Sequence, residues 1–275
     1  MTDTNAESVN RLVAAGLDRR EARWLVEEFC PKDHERLAAM RAAAQRRLDG
    51  EPIQYVLGHW PFRSLDLDVD ARVLIPRPET EELVTHALGE LARGDRTTPL
   101  ILDVGCGSGA IGLALADELL ARGVRASVVA LDVSLDALDV AKANARKHSL
   151  HAVSFVQSHW FDGLDPSLRG RIDLIVANPP YVGAEEFTTL DPVLRYEPLG
   201  ALVAEDERGI AGFRDVAHVI ATSSVWLNDD GALVLEHGEH QGDAALVLAK
   251  ESGFADVEDH ADVAGRSRVL VARRR

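Results

Sequence analysis

Apolar residues follow different spacings in different parts of the chain. Between residues 8 and 49 they recur at helical spacing, with a break at Pro31, which predicts a small domain of two or three helices. In the segment 65–69 they alternate with aspartates, which predicts a half-buried strand with an acidic outer face. Together with the apolar residues 55–57 ahead of it, this strand predicts a β-hairpin after the helices.

From about residue 80 onward, helical segments alternate with short buried strands. The predicted helices are 79–91, 110–122, 135–148 and 209–227. The predicted strands are 100–104, 128–131, 153–157, 172–177 and 232–235. Such alternation is typical of βαβ units and predicts an α/β domain with a mainly parallel sheet. The last two predicted strands, 254–259 and 267–272, have no helix between them, so we expect an antiparallel pair at one sheet edge.

Length and composition agree with one large domain and a small one. The chain has 275 residues, of which 46% are hydrophobic and 27% charged. We predict a helical domain for substrate recognition over residues 1–50, a hairpin linker over 51–75, and the α/β domain over 76–275. No apolar run approaches membrane-spanning length and the N-terminus lacks the apolar region of a signal peptide, so we expect a cytoplasmic protein.

The charge narrows the range of partners. The net charge is −15, which disfavours direct binding to nucleic acid along a phosphate track, although an acidic protein can still bind a basic protein. With only Cys30 and Cys106, no disulfide framework is indicated. The cluster from Glu236 to His240 resembles metal ligands, but its spacing does not give the usual ligand face, and no metal is expected.

A glycine-rich loop follows the first strand of the α/β region. It contains Gly105, Gly107 and Gly109, which allow a tight turn and a close approach of the backbone to a ligand at a helix N-terminus. The next strand ends at Asp132, whose carboxylate can accept both hydroxyls of a ribose. The loop therefore predicts a nucleotide-like cofactor, and its spacing also fits a dinucleotide.

The sequence Asn178-Pro179-Pro180-Tyr181 comes directly after the buried strand 172–177. Proline cannot donate to a sheet ladder, so the strand must stop there. Asn178 Oδ1 and the carbonyl of Pro179 can each accept one N–H of a planar amino group, while the ring of Tyr181 covers one face. In isolation, the same residues would be read as a simple proline turn.

Two features favour S-adenosylmethionine as the cofactor. Asp103, directly before the glycines, suits a cationic ligand and would repel a pyrophosphate. In a doubly wound sheet, the first and fourth strands are neighbours, so the glycine loop and Asn178 should face one crevice.

Several further segments resemble the PrmC/HemK family of release factor glutamine methyltransferases. They are residues 50–58 (GEPIQYVLG), 74–81 (LIPRPETE), 103–110, 157–161, 178–181 (NPPY), 195–198 (RYEP) and 235–238 (LEHG), with Arg268 near the end. The resemblance implies a Rossmann-like class I S-adenosylmethionine-dependent methyltransferase sheet with a small N-terminal helical domain. It also implies methyl transfer to the glutamine of the GGQ motif in class I peptide chain release factors.

The resemblance implies a role for each site residue. The cofactor-binding residues would be Asp103, Gly105, Cys106, Gly107, Ser108, Gly109, Asp132, Trp160 and Asn178. The substrate-binding residues would be Asn178, Pro179, Pro180 and Tyr181, with Asn178, Pro179 and Tyr181 as the catalytic group. This sequence departs from the family pattern in two places. His159 stands where the family usually has Asp, and the N-terminal domain is shorter than usual.

Some alternatives stay open at this point. Glu79 and Glu81 are first-turn helix charges, or else the neighbourhood of Arg77 and Glu79 orients the cofactor loop. The segment Tyr196-Glu197-Pro198 is either a simple turn or part of the acceptor pocket. Alternative functions are an adenine exocyclic-amine methyltransferase acting on DNA or RNA, or a paralogue that methylates glutamine in another protein. A cofactor-binding regulator without catalysis and a dinucleotide-dependent dehydrogenase are the remaining alternatives.

Overall fold

The computed structural model describes residues 5–30, 33–94 and 97–274, so Pro31 lies outside the described residues. Its centre is a seven-stranded sheet. The strands of this sheet are β3 (Leu100–Val104), β4 (Ser127–Asp132), β5 (Val153–Gln157), β6 (Ile172–Ala177), β7 (Leu227–Glu236), β8 (Asp256–Ala261) and β9 (Ser267–Arg273). Their order is β5-β4-β3-β6-β7-β9-β8, with all neighbours parallel except the antiparallel pairs β7–β9 and β8–β9. The α/β fold class and the antiparallel edge pair are confirmed.

Helices cover both faces of this sheet. They are α5 (Thr80–Ala92), α6 (Ala110–Ala121), α7 (Leu135–Lys147), α9 (Arg214–Ser223) and α10 (Gly242–Glu251), while the short helix α8 (Ala184–Phe187) follows β6 and has no buried residue. Side chains alternate along β3, so Ile101 packs with α5 and α6 on one face while Leu102 packs with α9 and α10 on the other. A sheet that is buried on both faces explains why its strands are continuous apolar runs in the sequence.

Register within the sheet determines where the site forms. Val104 of β3 is paired with Ala177 of β6 and with Leu131 of β4. The residues that follow these three positions therefore leave the sheet at the same edge and side by side. This edge is the switch point, from which the chain proceeds to opposite sides of the sheet.

The N-terminal part consists of helices and a hairpin. The helices are α1 (Asn5–Ala14), α2 (Arg19–Phe29), α3 (His34–Leu48) and α4 (Ile53–Leu57), and the hairpin strands are β1 (His59–Phe62) and β2 (Leu65–Asp68). The predicted alternation is confirmed, because Leu65 and Leu67 are buried in the main core. Within residues 5–30, 33–94 and 97–274, no helix is both long and apolar enough to cross a membrane.

Two of the predicted elements have a different type or a shorter extent in the structure, and one helix of the structure has no predicted counterpart. Residues 55–57, expected as a strand, belong to α4, because Ile53 and Val56 pack against the core of the N-terminal helices. The helix expected over 209–227 is confined to α9, since Gly209 and Gly212 adopt positive φ angles of 76° and 63°. Helix α10 was not predicted, although Ala245, Leu248 and Ala249 are buried at helical spacing.

Candidate active site

A cavity of about 370 Å³ lies at the carboxyl ends of β3, β4 and β6. Nine of the twelve predicted site residues line it: Gly105, Cys106, Gly107, Ser108, Asp132, Trp160, Asn178, Pro179 and Pro180. The other three, Asp103, Gly109 and Tyr181, lie outside the cavity wall. Its volume is within the usual range for sites that bind small molecules and cofactors.

The glycine loop forms one wall of the cavity. Gly105, Gly107 and Gly109 have φ angles of 76°, 53° and 85°, in a region that residues with a side chain rarely adopt. The loop is anchored to the sheet because the backbone N–H groups of Gly105 and Cys106 donate to the carbonyl of Leu131, at 2.9 and 2.8 Å. A Cβ on Gly107 would meet open space, so this part of the backbone faces the cavity directly.

Cys106 is a loop residue and is not poised as a nucleophile. Its thiol is buried, and burial raises the pKa well above the ordinary value for cysteine. The thiolate form that nucleophilic chemistry needs is therefore disfavoured.

Asp103 lies behind the glycine loop. Its Oδ2 accepts the N–H of Gly112 at 2.9 Å, whereas its buried Oδ1 has no partner among the residues that the structure describes. Burial raises the pKa of Asp103 to about 7. The arrangement pins the first turn of α6 to β3 and leaves one carboxylate oxygen without a donor.

Asp132 lies at the end of β4 and lines the cavity. Its Oδ2 accepts the N–H of Gly107 and its Oδ1 accepts the N–H of Ser134, both at 2.9 Å. Each oxygen retains acceptor capacity for a further donor from the cavity. Partial burial raises the pKa of Asp132, and the two backbone N–H groups oppose that shift.

Trp160 borders the cavity on a turn after β5. Its φ of 49° is unusual for a residue with a side chain, and the turn is held by Ser158, which donates to the Trp160 carbonyl at 2.7 Å. Ser158 Oγ also accepts the N–H of Gly163 at 2.8 Å. His159, beside it, is largely exposed and lies 3.5 Å from Asp162. The backbone of this turn is therefore fixed, and His159, at the departure from the family pattern, lines the cavity beside Trp160 while its side chain stays largely exposed.

Asn178 leaves the sheet next to Gly105, and its side-chain amide is held from one side. Its Nδ2 donates to Thr80 Oγ1 at 3.2 Å. Pro179 and Pro180 follow it in the cavity wall. Tyr181 turns the other way: its hydroxyl donates to Glu236 Oε1 at 3.1 Å and its ring lies under the guanidinium of Arg268, 5.6 Å away. The expectation that this ring covers the acceptor amide is not supported by its position.

Glu236 connects Tyr181 and Thr80 behind the cavity. It is 1% exposed, and its Oε2 accepts the hydroxyl of Thr80 at 2.7 Å. Burial raises the pKa of the Glu236 carboxyl, while the two hydroxyl donors and the charge of Arg268 oppose this shift. His237 also has a partner within this chain, because its Nε2 lies 3.1 Å from Asp259 Oδ1. The side chains of Glu236 and His237 are therefore both bound by other residues of the protein.

The rim of the cavity is fixed by a second buried acid. Glu197 accepts from Arg77 Nη2 at 2.6 Å and from the N–H of Ile75 at 3.0 Å. Pro198 follows Glu197 directly and lines the cavity together with Arg77, whereas Glu79 pairs at the surface with Arg266 at 3.2 Å. Of the open alternatives, the segment around Glu197 thus shapes the pocket, and Glu79 has a surface partner.

Sequence reasoning assigned no site role to several residues that the structure brings to the cavity or its support. They are Thr80, Ser158, Asp215, Glu236 and Arg268. Thr80 and Glu236 stand inside the quoted segments 74–81 and 235–238, so the signal was present in the sequence. A local pattern could not reveal their role, because it depends on α5 and β7 lying next to Asn178. Ala177, directly before Asn178, pairs with Leu235, directly before Glu236.

The residues present fit S-adenosylmethionine. Asp103 lies behind the glycine loop and does not line the cavity, so a direct contact from its carboxylate to a cationic ligand stays a prediction. Asp132 has acceptor capacity for two hydroxyls, and Trp160 offers an aromatic surface at the same cavity. Gly105 to Ser108 would hold the remainder with backbone groups.

Comparison with known proteins gives a consistent result. A family model described as a methyltransferase domain matches residues 99–258. The chain is 41% identical to the release factor glutamine methyltransferase of Haemophilus influenzae over 239 residues, which covers 84% of this chain and 79% of that protein. It is 39% identical to the protein of the same name from Salmonella typhimurium, over 97% of this chain and 96% of that protein.

A solved structure supports the fold. The chain is similar to a methyltransferase from Pyrococcus furiosus with a TM-score of 0.52 and 16% identity, over 88% of this chain and 98% of that one. At this identity the likeness concerns the fold alone. It agrees with the mainly parallel sheet of this chain.

Proposed function

This chain belongs to the release factor glutamine methyltransferase family, and from that premise we propose that it methylates the glutamine of the GGQ motif in class I peptide chain release factors. The methyl group is transferred to the side-chain amide nitrogen. The methyltransferase class and the methyl donor S-adenosyl-L-methionine, both expected from the sequence, are confirmed by the family. Because its proposed substrate acts in translation termination, we expect the enzyme in the cytoplasm.

One observation carries the proposal. Asn178 and Pro179 line the same cavity as the glycine loop and Asp132. An amino-group acceptor site and a site suited to the methyl donor therefore share one enclosed space. A dehydrogenase or a cofactor-binding regulator has no need for this pair of acceptors.

The chemistry follows from the weakness of the amide nucleophile. The nitrogen lone pair of an amide is delocalised into its carbonyl, the same resonance that flattens a peptide bond. Asn178 Oδ1 and the carbonyl of Pro179 would each accept one N–H of the glutamine side chain. Held in this way, the amide is fixed in its plane and its nitrogen is directed towards the cofactor end of the cavity. Such orientation can contribute several kcal/mol, up to about 7–11 kcal/mol in ideal intramolecular reactions.

S-adenosylmethionine, when bound, supplies an electrophilic methyl group on a sulfonium. The glutamine nitrogen would gain the methyl group as the methyl–sulfur bond breaks and the donor leaves as a neutral thioether, and the nitrogen would release one of its two protons to water. We assign the orientation of the nitrogen to Asn178 and Pro179, and Pro180, Pro198 and Trp160 line the cavity beside them.

We also propose that the N-terminal helices, residues 1–50, contact the release factor. Hydrogen bonds connect the end of this part of the chain, and the helix α4 that follows it, to the cavity rim. Tyr196 donates to the carbonyl of Asp49 at 3.1 Å, and Tyr55 donates to the carbonyl of Val73 at 2.6 Å. A protein bound to these helices would thus lie next to the segments around Val73 and Pro198, both of which line the cavity.

The test is methyl transfer from labelled S-adenosylmethionine to purified class I release factor. One arm uses the factor with its GGQ glutamine intact, a second the factor with that glutamine replaced, and a third DNA and RNA. We expect label in the first arm only.

Each other outcome identifies an alternative. Equal labelling of the intact and replaced factors would contradict the assignment of the acceptor residue. Labelled nucleic acid would favour the adenine methyltransferase. An unlabelled release factor, with transfer to another protein of a lysate, would indicate a paralogue that has acquired a different substrate.

A further inference from the structure

We propose that Thr80 and Glu236 are positioning residues that set which edge of the Asn178 amide faces the acceptor, an inference that rests on the proposed function. An asparagine amide has a donor edge and an acceptor edge, and only the acceptor edge can bind the N–H group of a substrate amide. The two edges have nearly the same shape. Packing alone therefore does not select between them, and hydrogen bonds must do so.

Glu236 determines which way the hydroxyl groups next to it donate. Its two carboxylate oxygens receive two hydroxyl groups, one from Thr80 at 2.7 Å and one from Tyr181 at 3.1 Å. An ionised carboxylate only accepts hydrogen bonds, so both hydroxyl protons must point towards Glu236. Burial raises the pKa of Glu236, whereas the two hydroxyl donors and the charge of Arg268 oppose this shift, and the proposed direction requires the ionised form.

The orientation of the Thr80 hydroxyl determines how Thr80 can bind Asn178. Because the only proton of the Thr80 hydroxyl is directed to Glu236, Thr80 Oγ1 can act towards Asn178 only as an acceptor. It therefore receives the amide N–H of Asn178, at 3.2 Å. The donor edge of Asn178 is thus turned to Thr80, and its Oδ1 is left on the opposite edge.

The three residues stand on separate rigid elements. Thr80 is the first residue of α5, Glu236 is the last residue of β7, and Asn178 directly follows β6. Strands β6 and β7 are paired up to Ala177 and Leu235, so the positions of Asn178 and Glu236 are fixed by the same ladder. Thr80 is 4% exposed and fills the gap between them. An acceptor held in advance loses less entropy when the substrate binds.

The first test compares three variants in single-turnover methyl transfer. Thr80→Val keeps the shape of the side chain and removes the hydroxyl, Thr80→Ser keeps the hydroxyl, and Thr85→Val makes the same exchange at an exposed threonine of α5. We expect Thr80→Val to lower kcat about tenfold to a hundredfold while KM for the release factor and the cofactor Kd stay unchanged. Thr80→Ser and Thr85→Val should retain normal kcat. A purely structural role would instead alter the cofactor Kd and the stability together with kcat.

The second test observes Asn178 directly and needs no acceptor. In ¹⁵N-labelled enzyme, the side-chain amide pair of Asn178 is identified by its absence from the Asn178→Ala spectrum. We expect one proton of the pair to exchange slowly with water in the wild type and in Thr80→Ser. In Thr80→Val its resonance should move and its exchange should become faster.

The outcomes separate the two proposals. An Asn178 amide pair that exchanges rapidly in the wild type, or that is the same in Thr80→Val, overturns the positioning role, whatever the substrate is. A protected pair that responds to Thr80→Val, in an enzyme that does not label release factor, supports the positioning role and contradicts the proposed acceptor.

Discussion

The two ends of the cavity are built in different ways. At the cofactor end, the wall is mostly backbone: three glycines with positive φ angles and N–H groups anchored to Leu131 and Asp132. At the acceptor end, the wall is set by side chains from distant parts of the chain. The bond from Asn178 to Thr80 spans 98 positions in the sequence and the bond from Thr80 to Glu236 spans 156.

The buried acids near the two ends also differ, in the number of hydrogen-bond donors that they receive. Glu236 has a hydroxyl donor on each carboxylate oxygen, whereas Asp103 has a donor on one oxygen only. Arg268 Nε, beside Tyr181, is likewise buried without a partner among the described residues, so each end has one unsatisfied polar atom in its support. The difference between the two acids is that both oxygens of Glu236 are bound by hydroxyl groups that also contact the acceptor side, whereas Asp103 lies behind the glycine loop with one oxygen unbound.

The largest effect is expected at the acceptor end. Asn178→Ala removes one of the two oxygens that would fix the glutamine amide, and we expect kcat for the release factor to fall about a hundredfold or more. The cofactor Kd, measured by titration calorimetry, should stay unchanged if the two ends are separable. Near-normal turnover with normal cofactor binding would break the assignment of Asn178.

At the cofactor end, Asp132→Ala should show the opposite pattern. It removes an ionised acceptor and leaves the N–H groups of Gly107 and Ser134 without their partner, so we expect the cofactor Kd to rise about a hundredfold, or about 3 kcal/mol. At saturating cofactor, KM for the release factor should change little. Asp136→Ala, an exposed acid in the first turn of α7, is the matched control and should bind cofactor normally.

The variant Asp103→Asn tests the difference between the two buried acids by its effect on the free energy of unfolding. The pKa of Asp103 in the folded protein is about 7, above its usual value of 3.8. The protonated form is thus favoured by folding, and its contribution to stability is full below pH 4 and is lost as the pH rises through 7. Between pH 5 and 8, we expect the wild type to lose about 2 kcal/mol of unfolding free energy relative to the variant.

The measurement is urea unfolding of both proteins, free of cofactor, across this pH range. Histidines titrate in both proteins, so their contribution cancels in the difference. Parallel stability curves for wild type and Asp103→Asn would show that Asp103 is not a strained buried acid.

The smallest effect is expected at Trp160. Trp160→Ala removes an aromatic surface of the cavity, and we expect the cofactor Kd to rise about tenfold, the usual scale for the loss of one stacking partner of a base. Trp160→Phe keeps a ring and should bind within a few-fold of the wild type. Equal losses in both variants would mean that the left-handed turn at residue 160, rather than stacking, determines binding.

The contrast between the two ends also explains how much the sequence could predict. The glycine loop and Asp132 were predicted residue by residue, because positive φ angles and helix N-termini leave local signals. The sheet was predicted because its strands are continuous apolar runs. The antiparallel pair β8–β9 followed from the missing helix between them.

The remainder depends on tertiary contacts that a local pattern does not carry. Tyr181 was expected to face the acceptor, but its hydroxyl binds Glu236, a residue 55 positions away. Residues 55–57 have a strand-like composition and become helical because Ile53 and Val56 pack on the N-terminal helices. The pairing of Arg77 with Glu197, 120 positions apart, decided between two interpretations that the sequence left open.

The central claim is that the acceptor end delivers the methyl group to one amide nitrogen. Tandem mass spectrometry of release factor treated with cofactor and either wild-type enzyme or Asn178→Ala tests it most directly. The account predicts a single methyl group on the side chain of the GGQ glutamine with the wild type, and an unmodified peptide with Asn178→Ala over the same time. An unmodified glutamine with the wild type, or a methyl group on another residue, would contradict it.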